Sequence, residues 1–444
     1  MKRQRIGLLL LLLLINLAAC SPGHVGTNVI AFIRDGQLWT IDPDGANAFA
    51  VFSSNVPVIG YNWSPNHELL AFRTLDPDFA KTPAAKNLAS NAITGLIADA
   101  PSTVNTIGVD GGTPIPIAFS SPDVAYSNPS WAISNARLLY RQSPKQPPRH
   151  PNDVIWWVSQ NDQPGGIAIK SLPSSYSIPS LAYQKPMAIG NSERGIFTTT
   201  LAGTNLRDIS TSQLLGHPLP ASLERILWRP AHQDTSFLYA IPAPSHGSST
   251  EPPTVQLILG TLDGQTTTLA TCACIQFAWA PDGNHLLYSA GTTYTIVNLS
   301  NHTSFEIAGA ANSVPYWSPD SQFLLLDGMH TLTLLRLATQ QRTVLLSDTN
   351  TVPDSAASAV TQPASNALLQ PIANSIWSAD SRHFLFLTRG RLQWQGQSLK
   401  SGQGLYTVTI DNLGHTQGLP SVVDQGKDTQ PGWTYQDANT SFLY

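Results

Sequence analysis

The feature that most constrains the fold of this chain is a tryptophan-led repeat that occurs seven times. Each copy has a tryptophan, a tight turn and a short apolar strand, as in Trp279-Ala-Pro-Asp-Gly, which runs into the apolar residues 286–288. Self-similarity at a period of roughly 40 to 50 residues, built from short strands, is typical of a β-propeller or another closed array of strands. The seven tryptophans are Trp63, Trp131, Trp228, Trp279, Trp317, Trp377 and Trp433.

An eighth copy lacks its tryptophan. The interval between Trp131 and Trp228 is nearly double its neighbours, which indicates a hidden repeat between them. We place this repeat at residues 178–183, where Ile-Pro-Ser-Leu-Ala-Tyr replaces the tryptophan segment, with the apolar strand at residues 187–189. The sequence therefore predicts eight units.

Residues 275–309 show the repeating unit most clearly. Residues 275–279 alternate as a first strand, and the Ala-Pro-Asp-Gly segment after them predicts a tight turn because proline presets its first dihedral angle. Three further strands are predicted at residues 285–289, 293–299 and 303–307, and the strand at 293–299 is rich in β-branched and aromatic residues. Four antiparallel strands per unit make one blade, and a ring of blades hides most sheet edges.

The N-terminal segment fits a partial blade. Residues 28–34, 37–42 and 48–52 match second, third and fourth strands, but no tryptophan strand precedes them, and Trp433 supplies the missing strand. We therefore predict an all-β fold, a β-propeller of four-stranded antiparallel blades closed by pairing of the N- and C-terminal strands. About eight blades are expected, with seven as the alternative; residues 442–444 would duplicate one strand position, which leaves seven or nine irregular units open.

The first residues predict an export signal. Lys2, Arg3 and Arg5 precede a run of seven leucines, which is too short for a comfortable membrane span of about 20 residues. The following Leu17-Ala-Ala-Cys20 resembles the lipobox of bacterial lipoproteins. The resemblance implies that residues 1–19 are a signal peptide, that Cys20 is diacylated on sulfur as the mature N-terminus, and that residues 20–27 link this lipid anchor to a propeller at 28–444. An ordinary signal peptide is the alternative.

The charge balance makes nucleic acid an improbable class of partner. The chain has 24 Lys and Arg against 28 Asp and Glu, a net charge of −4, and removal of the signal makes it more negative. Nucleic-acid binding instead requires a basic surface that neutralises phosphates. Charged residues make up only 12% of the chain, so that polar uncharged residues and proline fill the surface. This composition suits an extracytoplasmic protein with many loops. We expect a monomer that is held at the cell surface or at the periplasmic face of a bacterial membrane.

The repeat also carries a family resemblance. The Trp-Ser-Pro-Asp pattern followed by an apolar strand is clearest at residues 279–288 and 317–326, and Asp42-Pro-Asp-Gly45 matches a downstream turn between third and fourth strands. These motifs are similar to the repeats of TolB-like and WD-repeat-like β-propellers, over about residues 28–444. The resemblance implies the architecture, and that fold hosts scaffolds, peptidases and lyases alike.

Loop lengths predict which face of the propeller binds. Connections between second and third strands, together with those between blades, lie on one face, which we call the long-loop face; the other corners form the turn face. The long segments all fall on the first face, and long loops on a rigid scaffold are where binding usually resides. They comprise residues 75–102, 143–153, 242–253, 350–373 and 391–404. Their candidate binding residues are Trp394 and the basic set Arg141, Arg149 and His150, although Trp394 fits equally the core of a longer hairpin.

No motif in the sequence assigns catalysis or a cofactor. Both the Gly-x-Ser-x-Gly elbow of serine hydrolases and the His-Glu-x-x-His pair of zinc hydrolases are absent. Asp42 and Asp44 are weak candidates for a cation, since alternating aspartates before glycine are good turn formers. His285 and His383 occupy equivalent positions after the turn of two repeats, which architecture explains better than metal ligation.

The only cysteines besides Cys20 are Cys272 and Cys274. Two residues apart on a strand, they face the same side. A structural metal site requires four ligands, so we expect either two small half-buried residues or a local disulfide in an oxidising compartment.

The predicted function is binding. The sequence favours a membrane-anchored extracytoplasmic propeller that serves as a binding or scaffold module for an envelope protein, a peptide or a glycan. The alternative is a propeller hydrolase or lyase with its site at the central channel on the long-loop face.

Overall fold

The fold is almost entirely built from β-strands. The computed structural model describes residues 28–64, 66–85, 100–121, 123–131, 137–144, 155–169, 180–181, 187–192, 195–200, 206–208, 227–230, 236–243, 254–261, 265–274, 277–310, 313–328, 330–348, 369–370, 372, 375–388, 392–395, 397–399, 404–425 and 429–433. Cys20, Arg149 and His150 lie outside these residues. Helical structure in the described residues is limited to a 3-10 turn at Phe79–Lys81 and to residues 83–85.

The described strands form eight separate sheets, most of them with four antiparallel strands. Sheet 1 contains β1 (Ile30–Arg34), β2 (Gln37–Ile41), β3 (Phe49–Phe52) and β35 (Thr429–Trp433); sheet 2 contains β4 (Val58–Trp63), β5 (Leu69–Leu75), β6 (Ser102–Gly108) and β7 (Gly111–Ala118); sheet 3 contains β8 (Val124–Tyr126), β9 (Ser130–Trp131), β10 (Arg137–Pro144), β11 (Ile155–Gln160) and β12 (Ile167–Ile169); sheet 4 contains β13 (Ser180–Leu181), β14 (Met187–Ser192), β15 (Gly195–Thr200) and β16 (Leu206–Asp208).

The remaining four sheets follow the same order along the chain. Sheet 5 contains β17 (Leu227–Trp228), β18 (Ser236–Pro242), β19 (Val255–Thr261) and β20 (Thr266–Cys272); sheet 6 contains β21 (Phe277–Trp279), β22 (His285–Ala290), β23 (Thr293–Asn298) and β24 (Thr303–Ile307); sheet 7 contains β25 (Val314–Trp317), β26 (Phe323–Asp327), β27 (Thr331–Arg336) and β28 (Gln341–Asp348), extended by β31 (Leu392–Trp394) and β32 (Gln397–Ser398); sheet 8 contains β29 (Leu369–Gln370), β30 (His383–Thr388), β33 (Gly404–Thr409) and β34 (Ser421–Asp424).

The repeated tryptophan contacts the neighbouring sheet; in most copies it ends a strand, whereas Trp377 forms an isolated bridge with Phe384. The Trp377 indole N–H donates to the Tyr316 carbonyl at 3.1 Å, and the Trp131 indole N–H donates to the Asn62 carbonyl at 3.2 Å. In both cases the acceptor is the residue just before the tryptophan of the preceding sheet. At these positions a large buried ring also donates one hydrogen bond across the interface, which favours tryptophan, whereas the buried indole nitrogens of Trp279 and Trp317 have no hydrogen-bond partner within the described residues.

The predicted pairing of the N- and C-terminal strands is present. In sheet 1, Ile30 of β1 lies opposite Trp433 of β35, and Ala31 lies opposite Gly432. The Trp63 indole N–H of sheet 2 donates to the Gly432 carbonyl at 3.4 Å, which repeats the contact seen between other sheets. The C-terminal strand therefore takes the first position of a sheet whose other strands are N-terminal. Residues 442–444 lie outside the described residues.

The hydrophobic core lies between neighbouring sheets. Leu286 and Trp279 of sheet 6 pack with Leu238 and Leu257 of sheet 5, and a separate cluster joins Tyr294 of sheet 6 to sheet 7. Complete burial of one such side chain stabilises the fold by about 1.5–3 kcal/mol. The faces of the sheets are thus buried against each other, while their corners remain at the two ends of the molecule.

The insertion in sheet 8 forms a hairpin on sheet 7, and of the two sequence interpretations of Trp394 it shows the core of a longer hairpin. In β31, Trp394 pairs with Leu346 of β28, and its ring stacks on Phe386 with centroids 6.2 Å apart. The side chain is 1% exposed. Trp394 is thus the core of a longer hairpin rather than a surface anchor, because the hairpin covers the open edge of β28.

Candidate functional site

Of the basic residues predicted from the sequence, the structure describes only Arg141. Arg141 lies in β10 opposite Trp156, where its side chain is half-buried and its backbone N–H donates to Ser127 Oγ at 2.9 Å. Arg149 and His150 fall outside the described residues. A shared surface of these three residues therefore stays a prediction.

The two weak cation candidates hold a turn. The Asn47 side-chain amide donates to Asp42 Oδ2 at 2.6 Å, and the Ala46 N–H donates to Asp44 Oδ1 at 2.9 Å. Among the described residues, no group of three or more His, Cys, Asp and Glu side chains could hold a metal ion. The hydrogen bonds agree with the turn-forming role of alternating aspartates.

Cys272 and Cys274 form a disulfide. Both side chains are buried, Cys272 at the end of β20 and Cys274 in the connection to sheet 6. Of the two sequence interpretations, the local disulfide is the one that the structure shows. In the part of the chain that the structure describes, no helix is long and apolar enough to cross a membrane.

A pocket of about 410 Å³ lies between sheets 6 and 7. It is formed by the corner between third and fourth strands of both sheets and by the start of β26, and it therefore lies on the turn face rather than on the long-loop face. Its apolar lining comprises Ile296, Phe305, Leu337 and Ala338. The polar lining comprises His285, Asn298, Asn301, Thr303, Ser321, Gln322, Arg336 and Gln340.

A chain of hydrogen bonds fixes the imidazole of His285 at the pocket wall. His285 Nδ1 lies 2.6 Å from Asp282 Oδ2, and the Asn298 amide nitrogen lies 3.0 Å from His285 Nε2. Asn298 Oδ1 accepts the backbone N–H of Ser300 at 2.9 Å, so the amide group must present its NH₂ to the ring. Since Nε2 then accepts and a carboxylate can only accept, the proton lies on Nδ1 and both ring nitrogens are occupied.

The carboxylate behind His285 is held by its own turn. Asp282 Oδ1 accepts the backbone N–H groups of Asn284 at 2.8 Å and His285 at 3.1 Å. Partial burial acts to raise the pKa of Asp282, but the hydrogen bonds from the His285 side chain and from these two N–H groups outweigh it and lower the pKa below its ordinary value. Asp282 is therefore a charged, fully engaged support for the imidazole.

The two sheets that form the pocket are joined at their turns. The Asp282 N–H of sheet 6 donates to Ser321 Oγ of sheet 7 at 2.9 Å. The next junction repeats the contact, since the Asp320 N–H donates to Ser381 Oγ of sheet 8 at 2.9 Å. The pocket walls are thus positioned by backbone-to-side-chain hydrogen bonds that connect consecutive turns.

Sequence reasoning placed His285 correctly after its turn but missed Asn298 and Arg336. The register of the sheets shows that these two residues occupy one repeated position: Asn298 faces His285 in sheet 6, and Arg336 faces Phe323 in sheet 7. An alignment of the repeats at the end of their third strands could have identified this position as one where polar residues vary. The loop lengths instead predicted a binding site on the long-loop face.

Comparison with known proteins shows a similarity of fold. No protein-family model and no curated protein is similar to this chain. A solved structure of a eukaryotic initiation factor is similar with a TM-score of 0.53 at 12% identity, covering 93% of this chain and 100% of that chain.

Two other solved structures are more distant. An oligogalacturonate lyase from Vibrio parahaemolyticus has a TM-score of 0.45 at 11% identity, with 88% of this chain and 100% of that chain covered. A mitotic checkpoint complex has a TM-score of 0.38 at 12% identity, with 77% and 86% covered. The eight sheets and the likeness to the initiation factor structure together show that this chain has a β-propeller-like fold.

Proposed function

We propose that this protein is a lipid-anchored, extracytoplasmic β-propeller of eight blades that binds a saccharide in the pocket between sheets 6 and 7. The proposal rests on the tethered His285, whose two ring nitrogens are both occupied inside a polar pocket. The eight blades are supported by the eight sheets and by the position of β35 as first strand of sheet 1.

The geometry favours binding over catalysis. A general acid or base must exchange a proton with its substrate, but Asp282 and Asn298 already occupy both nitrogens of His285. Among the described lining residues there is no carboxylate, cysteine or lysine that could take this role. The enzymatic alternative, with its site at the central channel on the long-loop face, has no comparable support.

The pocket suits a small polyhydroxylated ligand better than a protein surface. Its volume of about 410 Å³ falls in the ordinary range for small-molecule sites. Amides and hydroxyls supply hydrogen bonds at fixed positions, whereas Phe305 and Leu337 supply an apolar surface for the carbon skeleton of a sugar. Of the three partner classes that the sequence suggested, a glycan therefore fits best.

Saccharide binding can be tested by ligand-observed NMR on the purified full chain. We expect saturation transfer to chitobiose or to a hyaluronan disaccharide, and its loss in the double variant Asn298→Ala and Gln322→Ala. Gln160→Ala is the matched control, because Gln160 faces Arg137 at the equivalent corner of sheet 3, outside the pocket. Absence of transfer to both disaccharides with the native chain would contradict the proposed function.

The anchor has its own test. If the Cys20 thiol carries the lipid, Cys20→Ala should move the protein from the membrane fraction to the soluble exported fraction. Unchanged membrane association after this substitution would refute lipidation at Cys20 while leaving saccharide binding unaffected.

A further inference from the structure

We propose that the ligand of this pocket is an acidic saccharide and that the Arg336 guanidinium binds its carboxylate. This inference rests on the proposed function, since it specifies which class of saccharide the same pocket takes.

Arg336 has a polar head without a partner in the described structure. It is the last residue of β27, its side chain is half-buried, and it lines the pocket. Within the described residues its guanidinium makes no hydrogen bond and no ion pair. Two other arginines of the turn face are paired instead: Arg229 donates to the Gly283 carbonyl at 2.7 Å, and Arg382 lies 3.3 Å from Asp320 Oδ2.

Among the described residues, no carboxylate forms an ion pair with this guanidinium. Asp282 is engaged by His285 and by two backbone N–H groups. Glu306 follows Phe305 in β24, and because successive strand residues point to opposite faces, its carboxylate lies on the side away from the pocket-lining ring. A half-buried guanidinium without a counter-charge favours a ligand that brings one, and its planar fork matches a carboxylate with two parallel hydrogen bonds.

The other unused groups of the pocket are mostly donors. Asn301 Oδ1 accepts from both the N–H and the hydroxyl of Thr303, at 3.1 and 2.6 Å, which leaves the amide NH₂ of Asn301 available. Ser321 Oγ accepts the Asp282 N–H, so its own O–H remains to donate. The side-chain amides of Gln322 and Gln340 make no hydrogen bond within the described residues, and each offers two N–H donors beside its carbonyl acceptor. A donor-rich pocket with one cation selects an oxygen-rich anionic ligand.

The experiment compares two disaccharides that share one N-acetylglucosamine unit. The acidic probe is a hyaluronan disaccharide, which carries glucuronate, and the neutral probe is chitobiose. With the native full chain we expect the acidic disaccharide to bind about tenfold more tightly, the ratio that about 1.4 kcal/mol produces. Arg336→Gln should abolish this preference by weakening the hyaluronan disaccharide about tenfold more than chitobiose, and Arg336→Lys should retain part of it.

A matched control removes an equal charge outside the pocket. Arg342 lies in β28, where its guanidinium donates to the Ala308 carbonyl at 3.3 Å, and Arg342→Gln should leave the preference intact. Equal weakening of both disaccharides by Arg336→Gln, or no weakening, would overturn the carboxylate contact while the proposed function stands.

Free anions provide the remaining arm of the test. Competition by acetate or inorganic phosphate as strong as that by the hyaluronan disaccharide would reduce the pocket to a simple anion site and overturn the saccharide assignment. If the native chain binds neither disaccharide, the proposed function fails together with this inference.

Discussion

Sheets 6 and 8 carry the same turn, but only the turn of sheet 6 lines the described pocket. In both, an aspartate accepts backbone N–H groups of its turn and lies near a histidine three residues later. The nitrogen-to-oxygen distance is 2.6 Å from His285 to Asp282 and 3.3 Å from His383 to Asp380. The aspartate and histidine are therefore a device of the repeat and do not by themselves make a site.

The difference lies in the strand that faces each histidine. Asn298 faces His285, whereas Thr409 faces His383 and has no amide to hold the ring. The next sheet differs as well. The pairing register places Asp42, one residue after Ile41, at the position in sheet 1 that Arg336, one residue after Leu335, takes in sheet 7. The sheet that follows sheet 8 in the ring order therefore carries a carboxylate where the sheet that follows sheet 6 carries a guanidinium. The aspartate–histidine turn is thus common to both sheets, and the residue at the end of the third strand determines which polar groups the corner presents.

The largest expected effect, on the free energy of unfolding, concerns the buried tryptophan that sheets 6 and 8 have in common. Trp279 and Trp377 are both almost completely buried, and truncation of a buried tryptophan to alanine costs about 3–5 kcal/mol. We expect Trp279→Ala and Trp377→Ala to lower the free energy of unfolding by similar amounts in urea titrations. A large cost in one sheet and none in the other would show that the repeats are not equivalent supports.

The second prediction separates the two histidines. His285→Ala should weaken binding of the hyaluronan disaccharide by about tenfold, because it removes a pocket wall, while His383→Ala should leave binding unchanged. Titrations followed by NMR measure both. Equal effects of the two variants on binding would break the comparison.

A smaller effect is expected when the facing residue of sheet 6 is made to resemble that of sheet 8. Asn298→Thr removes the hydrogen bond to His285 Nε2, and loss of one such bond costs about 0.5–1.5 kcal/mol. We expect a few-fold loss of disaccharide affinity with little change in melting temperature. The reverse substitution, Thr409→Asn, is the control and should not alter binding.

The smallest effect is a pH dependence common to both turns. Partial burial acts to raise the pKa of Asp282 and of Asp380, but hydrogen bonds within their turns outweigh this effect and lower both pKa values below the ordinary value. A carboxylate whose pKa is lowered by folding stabilises the protein above its unfolded pKa of about 3.9, and this contribution is lost as the pH falls through the lower folded value. Asp282→Asn and Asp380→Asn should each make stability less sensitive to acid in this window, as thermal melts at decreasing pH would show. A wild-type slope in either variant would contradict this.

The sequence predicted the strands of sheet 6 within one or two residues because turns and alternation are local properties. The predicted third strand at 293–299 compares with Thr293–Asn298, and the hidden repeat appears as β13 and β14. The sequence could not decide whether Trp394 lies in an exposed loop or in the core of a longer hairpin, since its polar neighbours resemble a loop and its partner strand β28 is distant in sequence. The pocket could not be predicted for a similar reason, because His285 and Arg336 are brought together only by the packing of two sheets.

The pairing of β1 with β35 has a consequence for how the chain matures. During synthesis, sheets 2 to 8 can form from neighbouring segments as they emerge, but β1 must wait with an unpaired edge until the last strand arrives. An open strand edge is a template for wrong partners, and non-local pairings are slow because loop closure must be completed first. We therefore expect a chain in which β35 has not yet paired to be more prone to aggregation and proteolysis than the closed fold, and a chaperone that shields the edge of β1 to act mainly at that stage.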